Sequence, residues 1–455
     1  MNEPIISVSG LRGVVGESLT PEIAMRYARA FSAAIEDGPI VLTRDGRSSG
    51  PMLARALADA LTAAGRDVID ADVAATPTTG VLVRQLGAAG GIQISASHNP
   101  AQYNGLKLFN RQGRVIPAAH GQRVLDNYRS GSSGRVPIVH PGHLSPHADS
   151  VGPHLALLRA IVDVELIRER KFNVLLDANH GAGSLLGRKL LDELGCQTTI
   201  LGSQPDGQFE HTPEPTAENL AQVLPQVRSK GAHIGFCQDP DADRLAIIDE
   251  NGRYIGEEYT LAICVDHVLR KRKGPVVTNC STSQMTEVVA RRHGVPFYRS
   301  AVGEANVVDT MLEHDAVLGG EGNGGVIDPR VVLVRDSFVG MALVLEAMTV
   351  RGMTVSELAD ELPRFEIVKT KINLAAERIE PALEDLPRHF RDAACDRLDG
   401  IRFDWPGEHK WLLVRPSNTE PIVRAIAEAP TTAEAQRLCD QAAAALQNVA
   451  LSQNN

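Results

Sequence analysis

Apolar residues along this chain gather in short runs, and three of those runs open the same pattern. Ile40-Val41-Leu42 leads into a polar turn, Arg44-Asp45-Gly46-Arg47-Ser48-Ser49-Gly50. A helical period follows from Pro51 to about Ala64, stopped by Gly65, with a second strand near Val68. Val174-Leu175-Leu176 leads likewise into Asp177-Ala178-Asn179-His180-Gly181-Ala182-Gly183, then a helix through Leu186, Leu190 and Leu194, then Gly195. Val276-Val277 precedes Asn279-Cys280-Ser281-Thr282-Ser283, a helix carrying Met285, Val288 and Val289, and Gly294. Each unit reads as strand, turn, helix, glycine, strand, which packs as a right-handed parallel crossover. The copies stand too far apart for a solenoid. The pattern predicts three α/β domains of similar design, each with its own sheet.

The remaining pattern fills in around these units. Ile5 to Gly16 reads as a strand leading into a loop, Ser9-Gly10-Leu11-Arg12-Gly13, whose glycines let the backbone approach a ligand. Thr20-Pro21-Glu22 reads as an N-cap and the first helical turn. Gly90-Gly91-Ile92-Gln93-Ile94 reads as a short buried strand, and Asn99-Pro100 marks a tight turn after it. The Ser/Gly-rich stretch from Arg129 to Gly134, and the Pro- and His-rich run on to Pro153, read as a connection between domains. From about Phe365 the repeat is lost. Trp411-Leu412-Leu413-Val414 and Ile422-Val423-Arg424 are strands about a loop, and a closing helix starts near Thr432, so a small α+β domain is expected. The expected divisions are 1–148, 149–253, 254–364 and 365–455.

Composition narrows the partners. The 455 residues are 43% hydrophobic, ample for several buried cores. A net charge of −10, with a pI of about 5.8, argues against a nucleic-acid binder. An anionic ligand would have to be held by local clusters of Arg and Lys. Cys196, Cys237, Cys264, Cys280, Cys395 and Cys439 form no C-x-x-C pair and read as reduced core residues. Met1-Asn2-Glu3-Pro4 lacks the features of a signal peptide, and no apolar run is long enough to span a bilayer. A soluble, cytoplasmic protein with no membrane partner is expected.

Four stretches carry candidate chemistry. Ser95-Ala96-Ser97-His98-Asn99-Pro100 falls at the C-terminal end of its strand, where open α/β sheets bind ligands. A serine needs a base, a metal or preformed charge to react, and His98 beside Ser97 is a possible proton carrier. Asp239-Pro240-Asp241-Ala242-Asp243-Arg244 sets carboxylates at alternate positions, able to converge on one hard cation such as Mg²⁺ or Ca²⁺. An EF-hand is disfavoured, because Arg244 stands where that loop needs glycine and the flanks read as strands joined by an Asn251-Gly252 hairpin turn. Gly319-Gly320-Glu321-Gly322-Asn323-Gly324-Gly325 is no P-loop, since it lacks the lysine. Glu321 can accept from two adjacent hydroxyls and Asn323 can both donate and accept, a set that suits a sugar. Arg415-Pro416-Ser417-Asn418-Thr419-Glu420-Pro421 gathers a guanidinium, two hydroxyls and an amide in one turn, with Arg424 as a second cation, a set that suits a phosphate.

Together these stretches resemble the α-D-phosphohexomutase family, which includes phosphomannomutases, phosphoglucomutases and phosphoglucosamine mutases. Ser95 to Pro100 is similar to T-[AG]-S-H-N-P, Asp239 to Arg244 matches D-x-D-x-D-R, Gly320 to Gly325 resembles G-E-x-S-G-H, and Arg415 to Pro421 resembles R-P-S-[GN]-T-E-P. The ordered set covers nearly the whole chain. The resemblance implies three similar mixed α/β sheet domains plus a C-terminal α+β domain around a central cleft. It implies a phosphoryl group on Ser97, and Mg²⁺ held by Asp239, Asp241, Asp243 and a phosphoserine oxygen. Ser97 would give its phosphate to a hexose monophosphate, and the hexose 1,6-bisphosphate would turn over in the cleft before returning the other one. Lys107, in an N-G-x-K run, would neutralise charge with Arg12 and Arg244, while Lys107, His98 and Arg12 are all candidates for proton transfer. Glu321, Asn323, Arg415, Ser417, Asn418, Thr419 and Arg424 would bind substrate. A monomer or a homodimer fits equally.

The chain departs from the family pattern in places. Asn323 stands where many members have Ser, and Gly325 where many have His. Val302-Gly303-Glu304-Ala305-Asn306 lacks the basic residue of V-G-D-[KR]-[YF], and Val8 replaces the usual Thr. Both loop variants resemble an archaeal-type subgroup that takes phosphoglucosamine, phosphomannose and phosphoglucose substrates alike. A metal-dependent sugar-phosphate phosphatase and a non-catalytic sugar-phosphate sensor are the alternative functions.

Overall fold

The computed structural model describes residues 3–7, 9–131, 140–417 and 422–452. Among them lie four sheets, in chain order. The first runs Ile5–Ser7, Gly10–Val14, Tyr103–Asn110, Gly90–Ile94, Ile40–Arg44, Val68–Val73, Leu144–Pro146. The second runs Tyr254–Gly256, Leu245–Asp249, Ile234–Gln238, Asn173–Asp177, Gln197–Leu201. The third runs Phe297–Ser300, Val276–Asn279, Leu318–Glu321, Gly325–Ile327. The fourth is wholly antiparallel: Glu366–Asn373, Ile422–Ala429, Lys410–Pro416, Ile401–Trp405, Ala394–Asp396, with the Thr432–Ser452 helix packed on it.

The three repeated units form as their pattern dictates. In each, the two strands pair in parallel, and the helices between them are Gly50–Thr62, Gly183–Glu193 and Gln284–Arg292. Gly65, Gly195 and Gly294 follow those helices with φ of +79°, +71° and +67°, the left-handed turn that reverses a chain at a helix end. Each sheet is mixed because a later strand returns antiparallel to it. Those returns place the serine, metal and sugar loops at the ends of Gly90–Ile94, Ile234–Gln238 and Leu318–Glu321.

Three expectations need correction. Arg12 is not on a loop. It lies on the Gly10–Val14 strand, paired antiparallel with Tyr103–Asn110. The flanking glycines serve close strand packing, since a Cβ at Gly10 would fall 2.1 Å from the Leu106 carbonyl oxygen. The run to Pro153 is also more than a connection, because Leu144–Pro146 adds an edge strand beside Val68–Val73. Residues 132–139 lie outside the described part. The cysteines are all free, four of them buried, but Cys196 is half-buried and Cys395 is exposed rather than in the core.

The Ser337–Arg351 helix ties the parts together. It is apolar on every side and buried from Ser337 to Thr349, as expected of a helix surrounded by others. Asp336 caps it, its Oδ1 accepting from the Phe338 and Val339 amides at 2.9 and 3.2 Å. The Asp336 Oδ2 meets His154 Nε2 at 2.7 Å, and His154 Nδ1 hydrogen-bonds Thr78 of the first domain at 2.9 Å. No helix among the described residues is long and apolar enough to cross a membrane.

Candidate active site

The serine loop is held by its backbone. Ser97 takes a φ of +50°, a left-handed conformation that costs a non-glycine residue about 1–2 kcal/mol. Its amide donates to Ser95 Oγ at 2.9 Å, and Ser95 Oγ donates to Asp45 Oδ2 at 2.7 Å. Asp45 also accepts from Arg47, from its amide at 2.9 Å and its Nε at 3.0 Å. The rest of the Arg47 guanidinium goes to four carbonyls of the loop. Nη2 donates to Ser97 and Asn99 at 2.6 Å each, and Nη1 to Pro100 and Tyr103 at 2.7 and 3.0 Å. Arg47 is buried and lies on the first polar turn. It was read only as part of that turn, because nothing local says that it reaches fifty residues onward.

The side chain of Ser97 points at the three acids. Its Oγ donates to Asp239 Oδ2 at 2.7 Å and lies 3.2 Å from His98 Nδ1. One carboxylate oxygen from each of Asp239, Asp241 and Asp243 fits within a 4.8 Å cluster, and all three residues are buried. Their outer oxygens are already occupied. Asp239 Oδ1 accepts from the Asp243 and Arg244 amides, both at 3.1 Å. Asp241 Oδ2 accepts from Lys107 Nζ at 2.5 Å and from Thr76 Oγ1. Asp243 Oδ2 accepts from Lys107 Nζ at 2.8 Å and from Arg335 Nη2 at 2.7 Å. Asp241 Oδ1 and Asp243 Oδ1 remain buried with no hydrogen-bond partner. Burial, reinforced by Asp241 and Asp243, pushes the Asp239 carboxyl far above its usual range. Two buried carboxylate oxygens without a protein partner, beside an acid that resists ionisation, make a place where a divalent cation would be favoured. The set of hard oxygen donors fits such an ion.

The cations divide by environment. Arg12 and Lys107 lie on one face of the first sheet, since Arg12 pairs with Gly105 and Gly10 with Lys107. Burial opposes the Lys107 charge, but Asp241 and Asp243 outweigh it and hold the ammonium above its ordinary value. Arg12 is different. Burial lowers its guanidinium, and among the described residues no carboxylate stands within ion-pair distance of it. Arg244 pairs with Glu214 Oε1 at 3.3 Å, and its buried Nε has no hydrogen-bond partner. Burial, then Arg244 and Arg12, push the His98 imidazole down to about 2, so it is neutral.

The sugar loop turns back between Leu318–Glu321 and Gly325–Ile327. Glu321 is buried, and both its oxygens already accept hydrogen bonds. Oε1 accepts from Asn279 Nδ2 at 2.8 Å and the Gly303 amide at 3.3 Å, and Oε2 from Arg335 Nη1 at 2.6 Å and Asn323 Nδ2 at 3.3 Å. Asn279 opens the third polar turn. Glu304 is drawn in through Arg335 Nε at 2.8 Å. Burial pushes its carboxyl up to about 7, with Arg335 pulling the other way. A cavity of about 740 Å³, bordered by Gly322, Glu257, Glu258 and Lys369, adjoins this loop where the third and fourth domains meet.

Sequence reading missed Thr76, Asn279, Glu304 and Arg335 as site residues. Thr76 and Asn279 carried a signal as polar residues opening a helix or a turn at a strand's end, and Glu304 as the acid of the Val302 to Asn306 run; Arg335 carried none.

Arg415 lies on the fourth sheet, directly opposite Arg424, which is itself opposite Lys371 on the next strand. Three cations thus stand in register across adjacent strands. Arg415 Nε stands 3.0 Å from Asp399 Oδ2, which accepts from the Val302 amide at 2.9 Å, next to the Gly303 amide that meets Glu321. Contacts therefore run unbroken from Ser97 through the acids, Arg335 and Glu321 to Arg415. Ser417 lies at the end of the Lys410–Pro416 strand, its amide donating to the Ile422 carbonyl at 2.9 Å. Asn418 and Thr419 lie outside the described residues.

Known proteins share this arrangement end to end. Family models for phosphoglucomutase/phosphomannomutase match in order: alpha/beta/alpha domain I over residues 5–135, domain II over 153–252, domain III over 257–365 and the C-terminal domain over 372–445. A protein of Thermococcus kodakarensis named "Phosphoglucomutase/phosphomannomutase" is 37% identical over 436 residues, covering 94% of this chain and 95% of that one. A "Probable phosphoglucosamine mutase" of Pyrococcus horikoshii is 36% identical over 442 residues, covering 95% and 96%. A crystal structure of a phosphoglucomutase/phosphomannomutase family protein from Burkholderia thailandensis superposes with a TM-score of 0.82, at 28% identity and 98% coverage of both chains. The chain belongs to the phosphoglucomutase/phosphomannomutase family.

Proposed function

We propose that this protein is a phosphohexose mutase, an isomerase that moves a phosphoryl group between O1 and O6 of a hexose phosphate with Ser97 as the relay. The observation that carries this reading is the 2.7 Å hydrogen bond from Ser97 Oγ to Asp239, which joins a nucleophile to a buried three-acid cage across 142 residues. In the forward step the P–O bond to Ser97 Oγ breaks as a P–O bond to a sugar hydroxyl forms. The hydroxyl proton passes to a group beside the cage, for which Lys107, His98 and Arg12 are the candidates. The product is a hexose 1,6-bisphosphate. In the return step its other phosphoryl group moves to Ser97 Oγ, and the freed sugar oxygen takes the proton back.

Charge and position supply most of the catalysis in such a transfer. Lys107 is held cationic beside the cage, and Arg12 and Arg244 offer donors to the moving phosphoryl oxygens. Asp239, Asp241, Asp243 and a phosphoserine oxygen would hold Mg²⁺. When bound, that ion neutralises charge on the phosphoryl group. Glu321 and Asn323 receive sugar hydroxyls, exchanging them for some of their present partners. The row of Arg415, Arg424 and Lys371 grips the phosphate that is not reacting, and Ser417, Asn418 and Thr419 are expected to bind it too.

The test is a mutase assay on glucose, mannose and glucosamine 1-phosphates with Mg²⁺ and the matching 1,6-bisphosphate. The 6-phosphate isomer should appear without release of inorganic phosphate. Intact mass should show one phosphate on the wild type and none on Ser97→Ala, which should be inactive. Phosphate release without isomer would replace the mutase reading with a phosphatase.

A further inference from the structure

The cation that pairs with the most carboxylates of the site lies outside every motif stretch. We propose that Arg335 is a positioning residue, which fixes the sugar-loop carboxylate Glu321 in register with the acid cage and reaches it through the gap left by Gly325. The inference rests on the mutase reading above.

Each donor group of Arg335 takes a carboxylate from a different stretch. Nε goes to Glu304 at 2.8 Å, Nη1 to Glu321 at 2.6 Å and Nη2 to Asp243 at 2.7 Å. The side chain is 11% exposed. A planar fork can hold three acids at fixed relative angles, whereas an ammonium is a point charge that cannot.

The residue is itself held rigidly. It immediately precedes Asp336, which caps the buried central helix. Next to that, Ser337 Oγ donates to the Ala242 carbonyl at 2.7 Å, inside the metal loop. The segment from 335 to 337 therefore docks twice on the loop that carries the cage.

Gly325 completes the fit. A Cβ there would fall 2.4 Å from Arg335 Cδ and 2.7 Å from Cγ. The position where related sequences often carry a histidine is here filled by a side chain arriving from ten residues later. Among the described residues Arg335 is the one side chain that bonds both Glu321 and a cage acid. Its loss would uncouple the sugar from the reacting phosphoryl group. Misplacement of about 1 Å can slow a positioned reaction on the order of 100-fold.

The test compares Arg335→Lys and Gly325→Ala with wild type by kcat/KM, each also in a Glu321→Gln background. Wild-type conversion, measured first, tests the mutase reading separately. The expected result is a loss of at least tenfold for each single variant, shrinking to about twofold or less once Glu321 is gone. If Arg335→Lys does not fold, Gly325→Ala displaces the arginine without changing charge and carries the same expectation. A loss below tenfold, or an equal loss in both backgrounds, would overturn the proposal. If the wild type converts nothing, glucose 1-phosphate affinity measured by calorimetry on the same variants reads the same ratios.

Discussion

Ser97 is held in a conformation that its own chemistry does not favour. A φ of +50° is paid for by the Ser95 hydroxyl and the Arg47 fork, so the strain belongs to the site. Removing the hydroxyl therefore has two separable effects. Ser97→Ala and Ser97→Gly should both lack phosphate and turnover. Ser97→Gly should nonetheless be more stable than Ser97→Ala by about 1 kcal/mol, because glycine enters the left-handed region freely. Equal urea midpoints for the two would show that the backbone relaxes. At this scale the sequence was readable where chemistry is packed into consecutive residues. Ser97, the three aspartates, Glu321 and Arg415 each sit in a run whose composition points to one ligand. Arg47 and Arg335 were not readable, because a guanidinium that serves a distant loop has no local pattern. Their work depends on strand returns that only the tertiary structure supplies.

Elements were legible wherever a period was long enough, and the three crossovers formed within a few residues of their expected ends. Arg12 was misplaced because its strand is short and glycine-rich, and is made a strand by a partner ninety residues away. The Leu144–Pro146 edge strand was missed because Pro and His dominate its surroundings. One connection also has a measurable titration. In the second polar turn, Asp177 Oδ2 meets His211 Nε2 at 2.8 Å, and Asn179 Nδ2 donates to the His211 carbonyl at 3.0 Å. Burial opposes the imidazolium, but the hydrogen bond and charge of Asp177 outweigh it, so the His211 pKa is raised above the usual 6.5. A raised histidine stabilises fully below its unfolded value, and that contribution is lost as pH climbs through the folded value. Unfolding free energy should therefore fall more steeply in wild type than in His211→Gln as pH climbs from the histidine's ordinary value through its raised one. Parallel pH profiles for the two proteins would rule out this linkage.

The fourth domain meets the third through a small apolar contact at the scale of the whole molecule. Trp411 is fully buried there against Cys280, Leu413 and Ile426. Its indole donates to Glu428 Oε1 at 2.7 Å, and the same oxygen accepts from the Gln284 amide at 3.0 Å. The Arg402 guanidinium lies over the Trp411 ring at 4.2 Å and donates to the Cys280 carbonyl. Trp411→Ala should cost about 3–5 kcal/mol. It should also raise KM for the sugar phosphate more than it lowers kcat, because Arg415 and Arg424, proposed above to grip the distal phosphate, would lose their fixed distance from the serine. Small-angle scattering should show a larger radius of gyration. An unchanged KM would mean that the fourth sheet is placed by other contacts. The four-domain build was visible in advance because three of the motifs accompany copies of one repeat and the fourth follows its loss, whereas the docking of one domain on the next was not.

The clamp that Arg47 closes on four main-chain oxygens has one more implication. A nucleophile fastened by its own backbone cannot commute between the two ends of a sugar. All the travel must fall to the cargo: the doubly phosphorylated hexose has to swing round, end for end, while the serine stays where it is. An enzyme built this way keeps one anvil and rotates the workpiece.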